Sequence, residues 1–128
     1  MFARLSRYQP QAHGLLRIVT GLLFLEHGTQ KLLSFPPGQM AGMGFSGTMP
    51  GYAGYIELIA GLLITIGLWT RPAAFVASGT MAVAYFLVHA PKNLFPVNNM
   101  GETPILFCFI FLFLAVAGPG AWSVDKRR

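Results

Sequence analysis

Residues 14–35 read GLLRIVTGLLFLEHGTQKLLSF. As a helix rising 1.5 Å per residue, this stretch is long enough to cross a hydrocarbon core, which needs ~20 residues. Its polar groups are unevenly placed. Arg17 stands alone near the start, while Glu26, His27 and Lys31 lie in the later half. Three more apolar segments follow, at 50–69, 72–90 and 103–118. Glu57 lies in the early half of the second, His89 at the end of the third and Glu102 at the start of the fourth. In an up-down-up-down arrangement these places share one leaflet with Glu26, His27 and Lys31. An ionisable group in hydrocarbon costs roughly 2.5–3.5 kcal/mol on insertion scales, so such groups face a bundle interior and mark function. The expected fold is an all-α integral membrane protein, a four-transmembrane-helix bundle forming a single domain over residues 1–128.

The composition agrees. The chain is 54% hydrophobic and 10% charged, with mean hydropathy +0.56. Soluble domains carry ~25% charged residues. The net charge of +5 is not read as a nucleic-acid signal, because the basic residues sit at segment ends rather than in a stripe among aromatics. Arg4, Arg7, Arg17, Arg71, Lys126, Arg127 and Arg128 fall on one side, and Lys31 and Lys92 on the other. By the positive-inside rule, both termini are expected in the cytoplasm. Arg17 is expected to snorkel to the headgroups. The uncharged run 18–25 is short for a signal peptide and no small-residue cleavage site follows, so the first segment is read as retained. Pro36-Pro37 ends it, and 38–49 reads as a Gly- and Met-rich loop. The single cysteine, Cys108, with no CxxC, excludes dithiol chemistry within the chain and reads as a small packing residue. Strand alternation is absent.

Helical phase groups the polar residues. On the first helix Glu26, Gln30, His27, Thr20 and Lys31 fall within an arc of roughly 140°. On the second, Gly54, Glu57, Gly61 and Thr65 share a narrow face of small residues that permits close approach. On the third, Ser78, Ala82, Tyr85 and His89 line up. The expected site is one outward-opening pocket, walled from the cytoplasm by Leu22, Ile64 and Met81. Its candidate ligand-binding residues are Glu26, His27, Gln30, Lys31, Glu57, Tyr85, His89 and Glu102. A plainer reading stands beside it. Glu26 and Glu57 can be structural carboxylates, held neutral or paired with Lys31 or His27, and Glu102 with Thr103 can simply start the last helix. No metal site is expected and haem is disfavoured. His27 and His89 lie on different helices, Glu26 and His27 diverge by about 100°, and no HxxxH or ExxH spacing occurs. No nucleophile or nucleotide-binding motif is present, and no catalytic residue is assigned.

Four pieces of the chain, LRIVTGLLFLEHGTQKL (16–32), YIELIAGLLITIGLWTRPAA (55–74), MGETPIL (100–106) and GPGAWSVD (118–125), carry a resemblance. In this order they resemble the DoxX family of small four-helix inner-membrane proteins. The resemblance rests on Arg17, Gly21, His27, Gly28, Lys31, Glu57, Gly61, Gly67, Gly101, Glu102, Gly118, Gly120, Ser123 and Asp125. It implies a multi-pass protein of the cell inner membrane. Relatives of that kind include a subunit linked to thiosulfate oxidation with quinone as acceptor, and a partner in an oxidative-stress complex. The implied role is a redox-associated subunit, at most part of a quinone-linked oxidoreductase, holding a quinone or another lipophilic ligand. Two alternatives stay open: a non-enzymatic assembly or partner protein, and a small carrier. The expected partners are the lipid bilayer, a membrane or periplasmic redox protein, and further copies of the chain, with no nucleic acid.

Overall fold

The computed structural model describes residues 2–38, 41–42 and 49–125, and the side chains of Met49 and Pro50 are not among what it describes. Much of the expected 38–49 loop, and its glycines Gly44 and Gly47, therefore lie outside the described residues. Among the described residues there is no strand. A short helix α1 (Phe2–Leu5) and a 3-10 turn (Ser6–Tyr8) lead into α2 (Gln9–Leu33). Then come α3 (Met49–Ile66) and α4 (Thr70–Ala84). A π-helical turn (Tyr85–His89) and a 3-10 turn (Ala90–Lys92) prolong α4. The short α5 (Pro96–Asn99) precedes α6 (Glu102–Ala117).

Thr70–Lys92, 23 residues, is the one described helix that is both long and apolar enough to cross a membrane by length and composition. Gly51–Ile66 and Glu102–Ala117 are apolar but shorter. The helix ends differ from the sequence expectation for local reasons. α2 starts five residues early because Pro10 fits its first turn, where a missing N–H loses no intrahelical bond. α3 stops at Ile66 rather than at residue 69. Gly67 adopts φ 75°, its N–H donates to Ile64, and the Leu68 N–H donates to Leu63. That pattern is a Schellman cap, and the left-handed residue strongly favours glycine. α4 starts at Thr70 instead of Pro72 because the Asp125 carboxylate accepts the Trp69 and Thr70 N–H groups, at 2.8 and 2.9 Å. Those donors at a helix start otherwise have no partner.

The interior is built from aromatic rings and small residues. Phe24 of α2 packs against Phe107 and Phe111 of α6, with ring centroids 5.7 and 4.7 Å apart. Such pairs add ~0.5–1.5 kcal/mol beyond area burial. α2 and α3 pack backbone to backbone. A Cβ on Gly61 would stand 2.7 Å from Leu25 Cα, so the contact requires glycine there. α4 brings the small residues Ala73, Ala74 and Ala77 to the core, and its Ser78 hydroxyl donates to the Cys108 carbonyl of α6 at 2.8 Å. Cys108 is half-buried in that contact.

Residues 118–125 fold back across the start of α2 and the α3–α4 hairpin. The Ala121 N–H donates to Pro10, the Val124 N–H to Ile66 and the Asp125 N–H to Gly67. Arg17 is the hub of this segment. Its guanidinium donates to the carbonyls of Pro119, Ala121 and Trp122, the last two at 2.8 Å. Arg17 is 0% exposed. The expectation that it snorkels to the headgroups is overturned. The carbonyls of the returning segment supply a polar nest inside the protein, so the side chain has no need to leave it.

Candidate functional site

Glu57 is held on α3, and Lys31 lies opposite it near the end of α2. The close α2–α3 packing brings the two backbones near enough for the side chains to meet. Lys31 Nζ donates to Glu57 Oε1 at 2.5 Å. Both residues are buried, Lys31 8% and Glu57 3% exposed. The pairing left open by the sequence is therefore a direct ion pair.

The pair lies in the wall of a cavity. A cavity of about 780 Å³ is bounded by α2, α3, α4 with its π turn, and the start of α6. Among the candidates, His27, Lys31, Glu57 and His89 line it, with Ile56, Met81 and Phe107 as apolar walls. The His27 ring stands edge-on to Phe107, centroids 6.0 Å apart, and lies within electrostatic reach of Glu57.

His89 is fixed by the π turn that carries it. Its Nδ1 lies 2.9 Å from the Asn99 carbonyl. A carbonyl only accepts, so Nδ1 carries the proton, and in the neutral ring Nε2 is an acceptor. Tyr85 lies outside the lining and stacks on His89, with centroids 6.4 Å apart. Its hydroxyl accepts a bond from Asn99 Nδ2 at 3.1 Å. Asn99, 1% exposed, also bonds the Asn93 carbonyl and the Gly101 N–H. It organises this end of the cavity and was not among the sequence candidates. The only signal for it was its place immediately before the MGETPIL piece at 100–106.

Besides Tyr85, three candidates are not brought to the cavity lining. Gln30 is half-buried beside it, and Glu26 and Glu102 are exposed. The buried stripe of α2 runs through Arg17, Thr20, Gly21, Phe24, Gly28 and Lys31. At 100° per residue its centre lies roughly 170° from Glu26, so burying Lys31 turns Glu26 outward. Glu102 opens the first turn of α6, where a carboxylate suits the positive end of the helix dipole. Of the three expected inner walls, Ile64 and Met81 are buried, but Leu22 is exposed. Leu22 follows Gly21 by 100° and so leaves the α2–α3 contact that Gly21 makes.

The cavity thus offers an ammonium with further N–H donors, a carboxylate, and an imidazole acceptor among apolar walls. That set can hydrogen-bond a compact polar group from more than one side.

Comparison with known proteins sets this geometry in a family. The profile of the DoxX family matches residues 13–90. The chain belongs to the DoxX family. A DoxX match of this extent runs from α2 to the π turn and takes in every candidate except Glu102. The chain is 39% identical to an uncharacterized protein of Haemophilus influenzae, over 96% of this chain and 95% of that one. It is 31% identical to the inner membrane protein YqjF of Escherichia coli K12, over 86% of each chain. It is also 28% identical to the inner membrane protein YphA of the same organism, over 87% of this chain and 86% of that one. No solved structure matches. This DoxX chain is a membrane protein, and its exposed apolar side chains, such as Phe75, Phe86 and Phe109, are a surface for lipid.

Proposed function

We propose that this DoxX protein holds a lipophilic ligand with a hydrogen-bonding head in the cavity beside Lys31 and Glu57, as a redox-associated subunit of the inner membrane. One observation carries the reading: a buried ion pair lies in the lining of an apolar cavity of about 780 Å³. A purely structural pair gains from complete enclosure and further hydrogen bonds. The volume falls within the ~300–1,000 Å³ of small-molecule sites, and a few polar groups among apolar walls are their usual lining. A quinone fits this donor set. Lys31 donates, His89 Nε2 accepts, and His27 also lines the cavity. A bound quinone supplies two-electron, two-proton redox chemistry. The chain's own residues bind and orient the head, and Phe107, Ile56 and Met81 exclude water from it.

In this reading α2, α3, α4 with its extension, and α6 all cross the bilayer, with both termini in the cytoplasm. The seven-to-two distribution of Lys and Arg supports it. The shorter α3 and α6 are accommodated by local thinning and flanking anchors. With Cys108 replaced, an impermeant maleimide is expected to label a cysteine at Asn98 from outside, and cysteines at Ser6 and Ser123 only after permeabilisation. External labelling at Ser6 would overturn the orientation.

The function is tested by the absorption spectrum of gently purified protein and mass analysis of its extracted lipophiles. A quinone enriched over the surrounding membrane is the expected result. A Soret band would point to haem. Nothing enriched would favour a non-enzymatic assembly role.

A further inference from the structure

We infer that the cavity fills sideways from the bilayer, between α3 and α4, with an amphiphile that has an uncharged polar head and a hydrocarbon tail. The inference rests on the ligand-holding reading above and adds the route and the chemical class.

The first ground is where the cavity opens. α3 and α4 are tied together at the tight Gly67–Trp69 link. Further along, Ile56 and Glu57 of α3 and Thr80, Met81 and Ala84 of α4 line two sides of one space. Its rim carries Tyr52 on α3, Val83 on α4 and Leu87 on the π turn that prolongs α4. All three are exposed and largely apolar. Thr80 and Val83 stand ten and thirteen residues beyond Thr70, which is ~15 and ~20 Å along a helix. In a core ~30 Å thick, that part of the rim lies at hydrocarbon depth. An opening there meets lipid tails rather than water.

The second ground is charge. Lys31 and Glu57 neutralise each other within the lining. An anionic or cationic head would leave one member of the pair in competition. The route gives the same answer, because a charged head entering through hydrocarbon meets the full penalty of an ion in lipid. An uncharged head with carbonyl or hydroxyl groups can use the remaining Lys31 donors and the His89 acceptor. The tail then leaves past Val83 and stays in hydrocarbon.

The test uses the full chain in phosphatidylcholine nanodiscs with two probes sharing one head: decylubiquinone and its tail-less parent, ubiquinone-0. Val83→Trp places a large ring at the rim. Val76→Trp is the control, since Val76 is as exposed as Val83, 51% against 50%, on the same helix, but does not line the cavity. Val83→Trp is expected to weaken decylubiquinone binding about tenfold, as when roughly two methylenes lose their contacts. Ubiquinone-0 should change less than about twofold, and Val76→Trp should change neither. Equal weakening of both probes, or none, would overturn the lateral route while leaving the head pocket standing. Failure of both probes to bind the unsubstituted protein would remove the quinone-head reading together with this inference. Membrane abundance and melting of each variant are measured alongside, and Leu87→Trp serves if Val83→Trp does not accumulate.

Discussion

Replacing Arg17 by leucine is expected to abolish accumulation of the folded protein. The guanidinium is fully buried and bonds the carbonyls of Pro119, Ala121 and Trp122. A hydrogen bond to a charged group contributes ~1.5–3 kcal/mol net. Three such bonds are a large share of a total stability of ~5–15 kcal/mol. The loss also propagates. The same returning segment delivers Asp125 to the Trp69 and Thr70 N–H groups, so freeing it uncaps α4. Arg17→Lys should fall between, because one ammonium on a shorter head cannot reach all three carbonyls with the planar fork that arginine presents. Deleting residues 119–128 should be about as damaging as Arg17→Leu. The two changes together should cost little more than either alone, because they remove the same contacts. Membrane abundance and melting in detergent are the readouts. If Arg17→Leu melts within about 3 °C of the unsubstituted protein, the three bonds are not what hold the segment down.

The sequence made the helices legible and the long-range contacts much less so. Apolar length and periodicity marked all four long helices, since both are local properties. Their ends were harder. Leu68 and Trp69 extend the apolar run past Ile66, and only the left-handed Gly67 stops the helix. Arg17 was misplaced for a related reason. Its three acceptors lie about a hundred residues away, and nothing in the pattern around Arg17 points to them. The GPGAWSVD piece was visible as a family-like motif, yet its use as a nest of carbonyls depends on backbone direction. At the site, helical phase put Lys31 and Glu57 on inward faces and left their pairing open. It also put Glu26 on the same broad arc, 140° from Lys31. An arc that wide cannot all be buried, and the stripe chosen by Gly21, Phe24 and Gly28 excluded Glu26. Asn99 could not be found from phase at all, because it ends α5, a helix of 4 residues that is too short to show a period.

Breaking the Lys31–Glu57 pair from one side is expected to damage folding, and removing both members to restore folding but not binding. The direct bond at 2.5 Å between two buried groups gives Glu57 a folding role as well. Glu57→Leu leaves a buried ammonium without its partner, and Lys31→Met leaves a buried carboxylate. Each should cost about 3–5 kcal/mol, the usual penalty for stranding one member of a buried pair. The double variant strands nothing. Apolar side chains of similar volume often match or exceed the stability of the pair they replace, so its abundance and melting should return to near the unsubstituted values. The cavity would then keep its shape and lose its strongest polar groups. Lipophiles extracted from the double variant should no longer be enriched over the surrounding membrane, although the protein is folded. A folded double variant that still enriches the same lipophile would show that the ion pair is a packing device, and that recognition lies elsewhere on the wall, with His27 and His89 the next residues to replace. A double variant that fails to fold would show that the pair sets the α2–α3 register, and binding would then be read from Glu57→Gln, which keeps the side-chain shape and an acceptor for Lys31.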